Sequence, residues 1–353
     1  EYSPDEPLGE TFTPSLFIGS QNQHLYALDP VTGDKKWEFF ADGSIYSSPV
    51  VVKDWVFVTC EDGRILKLDA KHGTLLNTYF LGGQIQATPT ADGDYLYVGD
   101  GSNNMYAWDI VADTLEWTAP VGAGVFSSAV IFDTMVIFGC DDGQVYSLDK
   151  EDGASIWTFD PGTGGPFVSS PAIVDTFVYI GGTDGRIYKF NVFNQNIEWQ
   201  YQTGGPILSS PVVVGGNCIF GSNDGNLYCI DVIAGLPRWD PLPLMERVTS
   251  SPYFYNQTIY IGSYDFNMYA VNVIDGTVRW RTTSKGLIKS SPIVYNDKLY
   301  FGSYDKYLYC VDPATGNVDW KQNINGLIEC SPAVDKLDGR PIYTSTISGN
   351  SPY

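Results

Sequence analysis

The sequence predicts an all-β protein, an eight-bladed β-propeller whose four-stranded antiparallel blades form a ring closed by pairing of the N- and C-terminal strands. The main observation is a Trp position that recurs at steps of 40, 40, 40, 42, 40, 41 and 40 residues. A period of about 40 residues with strand-like composition is typical of a propeller blade. The eight positions are occupied by Trp37, Asn77, Trp117, Trp157, Trp199, Trp239, Trp280 and Trp320.

A second recurring phrase precedes each Trp position and accounts for two strands of each blade. In its first copy, Tyr26-Ala27-Leu28 has the composition of a half-buried strand. Asp29 then favours a turn, and Gly33 can adopt the positive φ that closes the turn. Trp37 lies in the next strand, which we predict to be the outermost strand of the blade. Because Asn77 replaces Trp in one copy, we expect a weaker contact there, with Leu75, Leu76 or Tyr79 filling the space.

The remaining two strands follow from a Ser-Ser-Pro-like phrase and an Asp-Gly turn. Ser290-Ser291-Pro292 is one copy, and we predict that it begins an innermost strand, because Pro is tolerated at a sheet edge. Small Ser side chains suit the crowded axis of the ring. Asp142-Gly143, placed between two apolar alternating segments, is a strong hairpin signal for the second and third strands.

The ends of the chain predict how the ring closes. Residues 1–14 contain three Pro and four acidic residues and are predicted to form an extended tail, which leaves 15–353 as a single propeller. The strand around Ala333 has no Trp after it, and the first blade has no innermost strand before it. Pairing these two would remove a free edge. Pro341-Ile342-Tyr343-Thr344 competes with Leu16–Gly19 for one position in that blade, and the sequence leaves this choice open.

Charge and cysteine content limit the class of partner. With 41 acidic and 20 basic residues, the net charge of −21 disfavours nucleic acid and anionic membranes and favours a basic partner; a generally acidic proteome is the alternative explanation. No apolar run is long enough to cross a bilayer, and no signal peptide is visible in the sequence. The six Cys are expected to be buried free thiols, with a Cys218–Cys229 disulfide as the alternative.

The pattern Ala27-x-Asp29-x-x-Thr32-Gly33-x-x-x-Trp37 resembles the tryptophan-docking motif of the PQQ-type β-propeller repeats. These repeats occur in quinoprotein dehydrogenases and in BamB-like outer-membrane assembly lipoproteins. The resemblance to the dehydrogenases implies a cofactor on the axis, but this sequence has no adjacent Cys-Cys pair and no identifiable calcium ligands. The resemblance to BamB-like proteins agrees with the length and implies an extracytoplasmic location (periplasmic, cell-surface or secreted), although no N-terminal lipidated Cys is present.

The sequence offers few candidates for catalysis. His24 and His72 fall in different repeats, and we interpret both as solvated turn residues, because neither is spaced to pair with a nucleophile or a second ligand. The repeated Asp residues are interpreted as turn formers and not as calcium ligands. No phosphate-binding loop or metalloprotease motif is present. We therefore expect no bound cofactor or metal, and the sequence favours a non-enzymatic role.

The candidate binding residues lie where the repeat varies. The residue before each Ser-Ser-Pro phrase differs from copy to copy and should line one mouth of the central channel. Turn tips on the same face vary as well. The named candidates are Tyr46, Gln86, Phe126, Lys289 and Glu329 before the phrases, and Arg64 and Arg186 at the turns. Such a mixture suits a peptide or small ligand, whereas ordinary loop variation is the alternative.

These features favour a scaffold that binds another protein at the cell envelope or outside the cell. A propeller presents many loops on a rigid frame, which suits that use. The alternative is a propeller that binds a small ligand, a sugar or a quinone.

Overall fold

The computed structural model describes residues 13–335 and confirms the predicted eight-bladed propeller of four-stranded antiparallel blades. Blade 1 contains the last strand of the chain as its innermost member, and the other blades follow the chain in order. The strands of blades 1 to 4, innermost first, are β32 (Ala333–Val334), β1 (Leu16–Gly19), β2 (His24–Leu28), β3 (Lys35–Phe40); β4 (Val50–Val52), β5 (Trp55–Thr59), β6 (Arg64–Asp69), β7 (Leu75–Phe80); β8 (Thr90–Asp92), β9 (Tyr95–Gly99), β10 (Asn104–Asp109), β11 (Thr114–Pro120); β12 (Val130–Phe132), β13 (Met135–Gly139), β14 (Val145–Asp149), β15 (Ser155–Phe159).

Blades 5 to 8 have the same order, and blade 6 has a short outermost strand of two residues. Their strands, innermost first, are β16 (Ala172–Val174), β17 (Phe177–Gly181), β18 (Arg186–Asn191), β19 (Ile197–Gln202); β20 (Val212–Val214), β21 (Asn217–Gly221), β22 (Asn226–Asp231), β23 (Leu242–Pro243); β24 (Tyr253–Tyr255), β25 (Thr258–Gly262), β26 (Asn267–Asn272), β27 (Val278–Thr283); β28 (Ile293–Tyr295), β29 (Lys298–Gly302), β30 (Tyr307–Val311), β31 (Val318–Asn323).

The ring closes as predicted, by pairing of β32 with β1. Leu16 lies opposite Val334 and Phe17 lies opposite Ala333 in antiparallel register. The predicted tail falls almost wholly outside the described residues, and the competing segment 341–344 falls outside them entirely.

Each Trp connects its blade to the next one. In six of the eight blades, the indole Nε1 donates to a backbone carbonyl in the turn between the third and fourth strands of the following blade, at 2.9–3.3 Å. The Gly of that turn has positive φ and lies against the indole. A Cβ built on it would stand only 2.6–2.7 Å from the ring, so the close approach requires glycine.

The two exceptions occur where the turn has no glycine. Asp113 takes the position in blade 3, and the preceding blade carries Asn77. There, Lys67 Nζ donates to the Ile110 carbonyl, which corresponds to the carbonyl that accepts from Trp elsewhere. Lys67 also pairs with Asp113 at 2.7 Å, and Tyr79 OH bonds Asp113 as well. Tyr79 is the residue that fills the space.

The second exception joins blades 4 and 5. Gln195 replaces glycine in the turn, and its Nε2 donates to the Val192 carbonyl at 3.0 Å. Trp157 Nε1 is consequently buried without a partner. The apolar core lies between neighbouring blades, as in the cluster that joins Phe17 and Leu25 of blade 1 to Val58 of blade 2.

A closed belt of hydroxyl groups surrounds the channel. In each Ser-Ser-Pro phrase, the backbone N–H of the second residue donates to the side-chain hydroxyl at the same position in the next blade, at 2.8–3.2 Å. The belt consists of Ser48, Thr88, Ser128, Ser170, Ser210, Ser251, Ser291 and Ser331, and Ser331 N–H returns to Ser48. These bonds fix the innermost strands relative to one another around the whole ring.

All six cysteines are buried free thiols, as expected. Cys218 lies opposite Ile230 and Cys229 lies opposite Ile219 in one antiparallel pair. Since side chains alternate along a strand, the two thiols point to opposite faces of the sheet. This geometry excludes the alternative disulfide.

Candidate functional site

Backbone hydrogen bonds assemble one mouth of the channel in the same way in every blade. The second residue of the turn between the second and third strands donates its N–H to the carbonyl that stands three residues before the Ser-Ser-Pro phrase, at 2.9–3.1 Å. Each bond places that turn residue beside the side chain preceding the phrase. Both positions vary freely among the eight copies.

We call these sixteen residues the mouth ring. Turn residues and pre-phrase residues alternate around it. In order from blade 1, its members are Glu329, Gln21, Tyr46, Glu61, Gln86, Gly101, Phe126, Asp141, Val168, Thr183, Leu208, Asn223, Thr249, Tyr264, Lys289 and Tyr304.

The predicted pair Lys289 and Glu329 does come together, and Glu329 is the centre of a network. Its Oε1 pairs with Lys289 Nζ, while its Oε2 accepts from Tyr304 OH at 2.6 Å and from Gln21 Nε2 at 3.0 Å. The Glu329 side chain is 15% exposed and that of Lys289 is 35% exposed. Glu329 therefore acts as an internal brace that presents its neighbours to the channel.

Burial shapes the electrostatics of this network. It lowers the pKa of Lys289. Burial also raises the pKa of Tyr304, and the nearby Tyr264 and Tyr46 contribute in the same direction. Tyr304, which donates to Glu329, is therefore a partly desolvated member of this network.

Phe126 and Gln86 occupy a more open sector. The Phe126 ring lies against two glycines: a Cβ built on Gly101 would stand 3.5 Å from Phe126 Cζ, and one built on Gly124 would stand 3.1 Å from Cε2. Gln86 is exposed, whereas Tyr46 and Phe126 are half-buried. Gly101 stands where other blades carry a side chain, and Gln84 and Phe126 pack against it.

The two predicted arginines do not belong to the mouth ring. Each begins the third strand of its blade and lies opposite a residue of the outermost strand. Arg64 Nε donates to Asp62 at 2.7 Å, and its Nη2 reaches two carbonyls of the 41–42 segment. Arg186 lies 3.4 Å from Asp184. Both guanidinium groups are held by acidic residues of their own turns.

Sequence reasoning missed two carboxylates in the ring. Glu61 and Asp141 occupy the second turn position, and within the described residues neither side chain has a hydrogen bond or an ion pair. Burial, together with the charge of Asp142, raises the pKa of Asp141. Their position varies among the repeats as the predicted positions do, so the sequence pattern contained the signal.

The repeated Asp residues have structural partners. Asp142 Oδ2 accepts from Tyr146 OH at 2.6 Å, and four other blades contain the same Asp–Tyr bond. In blade 3, Tyr106 OH instead donates to Asp100, two positions earlier in the turn, at 2.9 Å. His72 is an exposed turn residue bonded to Asp69. His24, in contrast, begins β2 and packs its ring against Phe40 with centroids 5.1 Å apart, so its interpretation as a turn residue was wrong.

Other candidate features are limited. Among residues 13–335, no group of three or more His, Cys, Asp or Glu side chains is placed to hold a metal ion. No helix in that same range could cross a membrane. On the opposite face, a cavity of about 280 Å³ lies between blades 8 and 1, lined by Pro30, Val31, Tyr300 and Asp319 among others.

Comparisons with known proteins identify the fold family. The family model described as "Beta-alanine-activating enzyme, beta-propeller" matches residues 8–259. The outer membrane protein assembly factor BamB of Burkholderia pseudomallei is 31% identical over 118 residues, which cover 33% of this chain and 31% of that protein. The match therefore spans about a third of this curated relative.

Two solved structures show the same architecture. BamB from Moraxella catarrhalis superposes with a TM-score of 0.72 at 19% identity, covering 84% of this chain and 92% of that one. A europium-containing methanol dehydrogenase superposes with a TM-score of 0.69 at 12% identity, covering 83% and 82%. At these identities, the likeness establishes the fold alone.

Proposed function

Because the chain belongs to the β-propeller family of the beta-alanine-activating enzyme and shares sequence with BamB proteins, we propose that it is a non-enzymatic scaffold that binds another protein through the mouth ring. Similarity to outer membrane protein assembly factors named BamB favours an extracytoplasmic setting. The net charge of −21 favours a partner with a basic surface.

One observation carries this proposal. Repeated hydrogen bonds hold the frame in the same way in all eight blades, whereas the mouth ring presents a different side chain at almost every position. A rigid frame that displays varied, half-buried polar and aromatic groups is suited to recognition, because little conformational entropy is lost on binding. The candidate residues Tyr46, Gln86, Phe126, Lys289 and Glu329 belong to this displayed set.

The test is to reverse the mouth ion pair with Lys289→Glu and Glu329→Lys together. Tagged wild-type and variant protein are used to capture partners from envelope extracts of the native source, followed by mass spectrometry. We expect the variant to lose at least one protein that the wild type retains, because the reversed pair changes the surface that the partner meets. The melting temperature should stay within a few degrees of the wild-type value.

A matched control reverses an ion pair away from the mouth. Lys35 and Glu38 lie 2.9 Å apart on the outermost strand of blade 1, with 44% exposure each. Their double reversal changes the same charges and should leave capture intact. If the mouth variant and the control capture the same proteins in the same amounts, the sector of the mouth ring around Lys289 and Glu329 is not the binding surface.

A further inference from the structure

One sector of the mouth ring, spanning blades 2 to 4, differs from the rest in that its charges are unpaired. We call it the acidic–aromatic arc, and in ring order it consists of Glu61, Gln86, Gly101, Phe126 and Asp141. The opposite sector is internally satisfied, because Glu329 there binds Lys289, Tyr304 and Gln21.

The two carboxylates of the arc lack partners while their neighbours have them. Next to Asp141, Asp142 accepts from Tyr146 OH at 2.6 Å and from the backbone N–H of Gln144 at 3.0 Å. Next to Glu61, Asp62 binds the Arg64 guanidinium. Asp141 and Glu61 are half-buried without any such bond in the described part of the chain. A half-buried carboxylate without a counter-charge is costly, so a bound cation would be favourable.

An aromatic face lies between them. Phe126 packs on Gly101 and Gly124 and is only half-buried, so part of its surface is accessible. A cation above an aromatic ring is stabilised by the ring quadrupole, and Arg makes this contact more often than Lys. Gln86, the neighbouring member of the arc, is exposed, so its amide is available for hydrogen bonds with the backbone of an extended segment.

We propose that the acidic–aromatic arc binds basic side chains, Arg in particular, from an extended segment of the protein partner. The guanidinium group forms charge-assisted hydrogen bonds with Asp141 or Glu61 and stacks on Phe126. The net charge of −21 attracts such a segment to the mouth. This inference rests on the proposed scaffold function and specifies the chemistry of its partner.

The experiment uses a fluorescein-labelled, amidated hexapeptide of alternating Arg and Gly, with binding followed by fluorescence anisotropy at 50 mM NaCl. We expect saturable binding that weakens for Asp141→Asn and for Glu61→Gln by about three- to fivefold each, the range typical of partly exposed ion pairs. Phe126→Leu should weaken the Arg–Gly peptide more than a Lys–Gly peptide of equal charge.

Glu151→Gln is the matched control. Glu151 is an exposed residue of the β14–β15 turn on the opposite face, and its side chain forms no hydrogen bond or ion pair within residues 13–335, so this variant removes the same charge elsewhere. It should bind the peptide like the wild type. The inference is overturned if Glu151→Gln and Asp141→Asn weaken binding equally, if a Glu–Gly peptide binds as well, or if the Arg–Gly peptide does not saturate up to millimolar concentration.

The two proposals fail separately. If the Lys289/Glu329 reversal abolishes partner capture but the Arg–Gly peptide does not bind, the scaffold proposal stands and the cationic chemistry is wrong. If the peptide binds at the arc but the tagged wild-type protein captures no partner from the envelope extract, the arc has the proposed chemistry and the scaffold proposal is wrong.

Discussion

Replacing Gly153 with Ala should disturb the contact between blades 3 and 4 much more than its small size suggests. Gly153 has φ of +73°, and a Cβ built there would stand 2.7 Å from Cε3 of Trp117. Trp117 is 8% exposed, and its Nε1 donates to the Lys150 carbonyl at 3.1 Å. The new methyl group and the indole cannot both keep their positions.

The expected cost has two parts. A non-glycine residue in the left-handed region costs about 1–2 kcal/mol. Displacing the indole sacrifices its hydrogen bond, worth about 1 kcal/mol, and some buried packing. We therefore expect Gly153→Ala to lower the free energy of unfolding by about 3 kcal/mol. Gly93→Ala is the control, because Gly93 has φ of +59° and nothing within 4 Å of its Cβ position. Gly93→Ala should lower the free energy of unfolding only by the cost of the left-handed backbone conformation, about 1 kcal/mol.

Equilibrium urea denaturation followed by circular dichroism measures both variants. A double-mutant cycle with Trp117→Asn isolates the contact, since Asn at this position removes the ring that the methyl group meets. Gly153→Ala should cost less in that background than in the wild type. Equal destabilisation by Gly153→Ala and Gly93→Ala would refute the reasoning that the Trp ring requires glycine in the next blade.

Two further outcomes are expected. Lys67→Met should lower the free energy of unfolding, measured by urea denaturation, by about 2–3 kcal/mol, because the Ile110 carbonyl and Asp113 lose a buried partner. Lys53→Met, the control, breaks the exposed pair with Asp94 and should lower it by less than about 1 kcal/mol. Similar losses in the two variants would contradict a structural role for Lys67. Burial and the charge of Asp54 raise the pKa of Asp335 to about 6 from an ordinary 3.8, so the folded state binds this proton more tightly than the unfolded state does. The protonated carboxyl therefore contributes stability that is fully present below pH 3.8 and is lost as pH rises through 6. Asp335→Asn should therefore be more stable than the wild type at pH 7.5 by about 1 kcal/mol after allowance for solvent screening. In thermal denaturation, this difference in stability between variant and wild type should narrow toward pH 4. A difference that does not change with pH would show that Asp335 titrates normally.

The ring and its closure were predictable because they depend on period alone. A step of 40–42 residues between Trp positions determines the number of blades, and a lone innermost strand at the C-terminus has one open place to pair. The belt of hydroxyls was partly visible in the Ser-Ser-Pro phrases, but a repeated Ser is explained equally well by crowding at the axis. Only the coordinates show that each hydroxyl accepts an N–H from the neighbouring blade.

The exceptions in the repeat were harder to interpret because each depends on two distant positions. Asn77 was recognisable as a missing Trp, yet its compensation comes from Lys67 ten residues earlier and from Asp113 in the next blade. The position of Lys67 holds Ala, Cys or Ser in six other repeats but Lys189 in the seventh, which keeps its Trp, so a lysine there did not by itself mark the Asn77 repeat. The same logic explains Trp157, whose carbonyl partner is taken by Gln195. A turn residue and the aromatic residue of the preceding blade therefore form one unit.

The mouth shows why variation alone does not identify contact residues. Lys289 and Glu329 occupy varied positions and are charged, but both oxygens of the Glu329 carboxylate already have partners within the ring. Glu61 and Asp141 vary equally and remain unpaired. Whether a varied position serves the frame or a partner depends on whether its polar atoms are already satisfied, which is a property of neighbouring blades and not of the repeat. The unsatisfied charges of blades 2 to 4 are therefore stronger candidates for recognition than the ion pair that the sequence makes conspicuous.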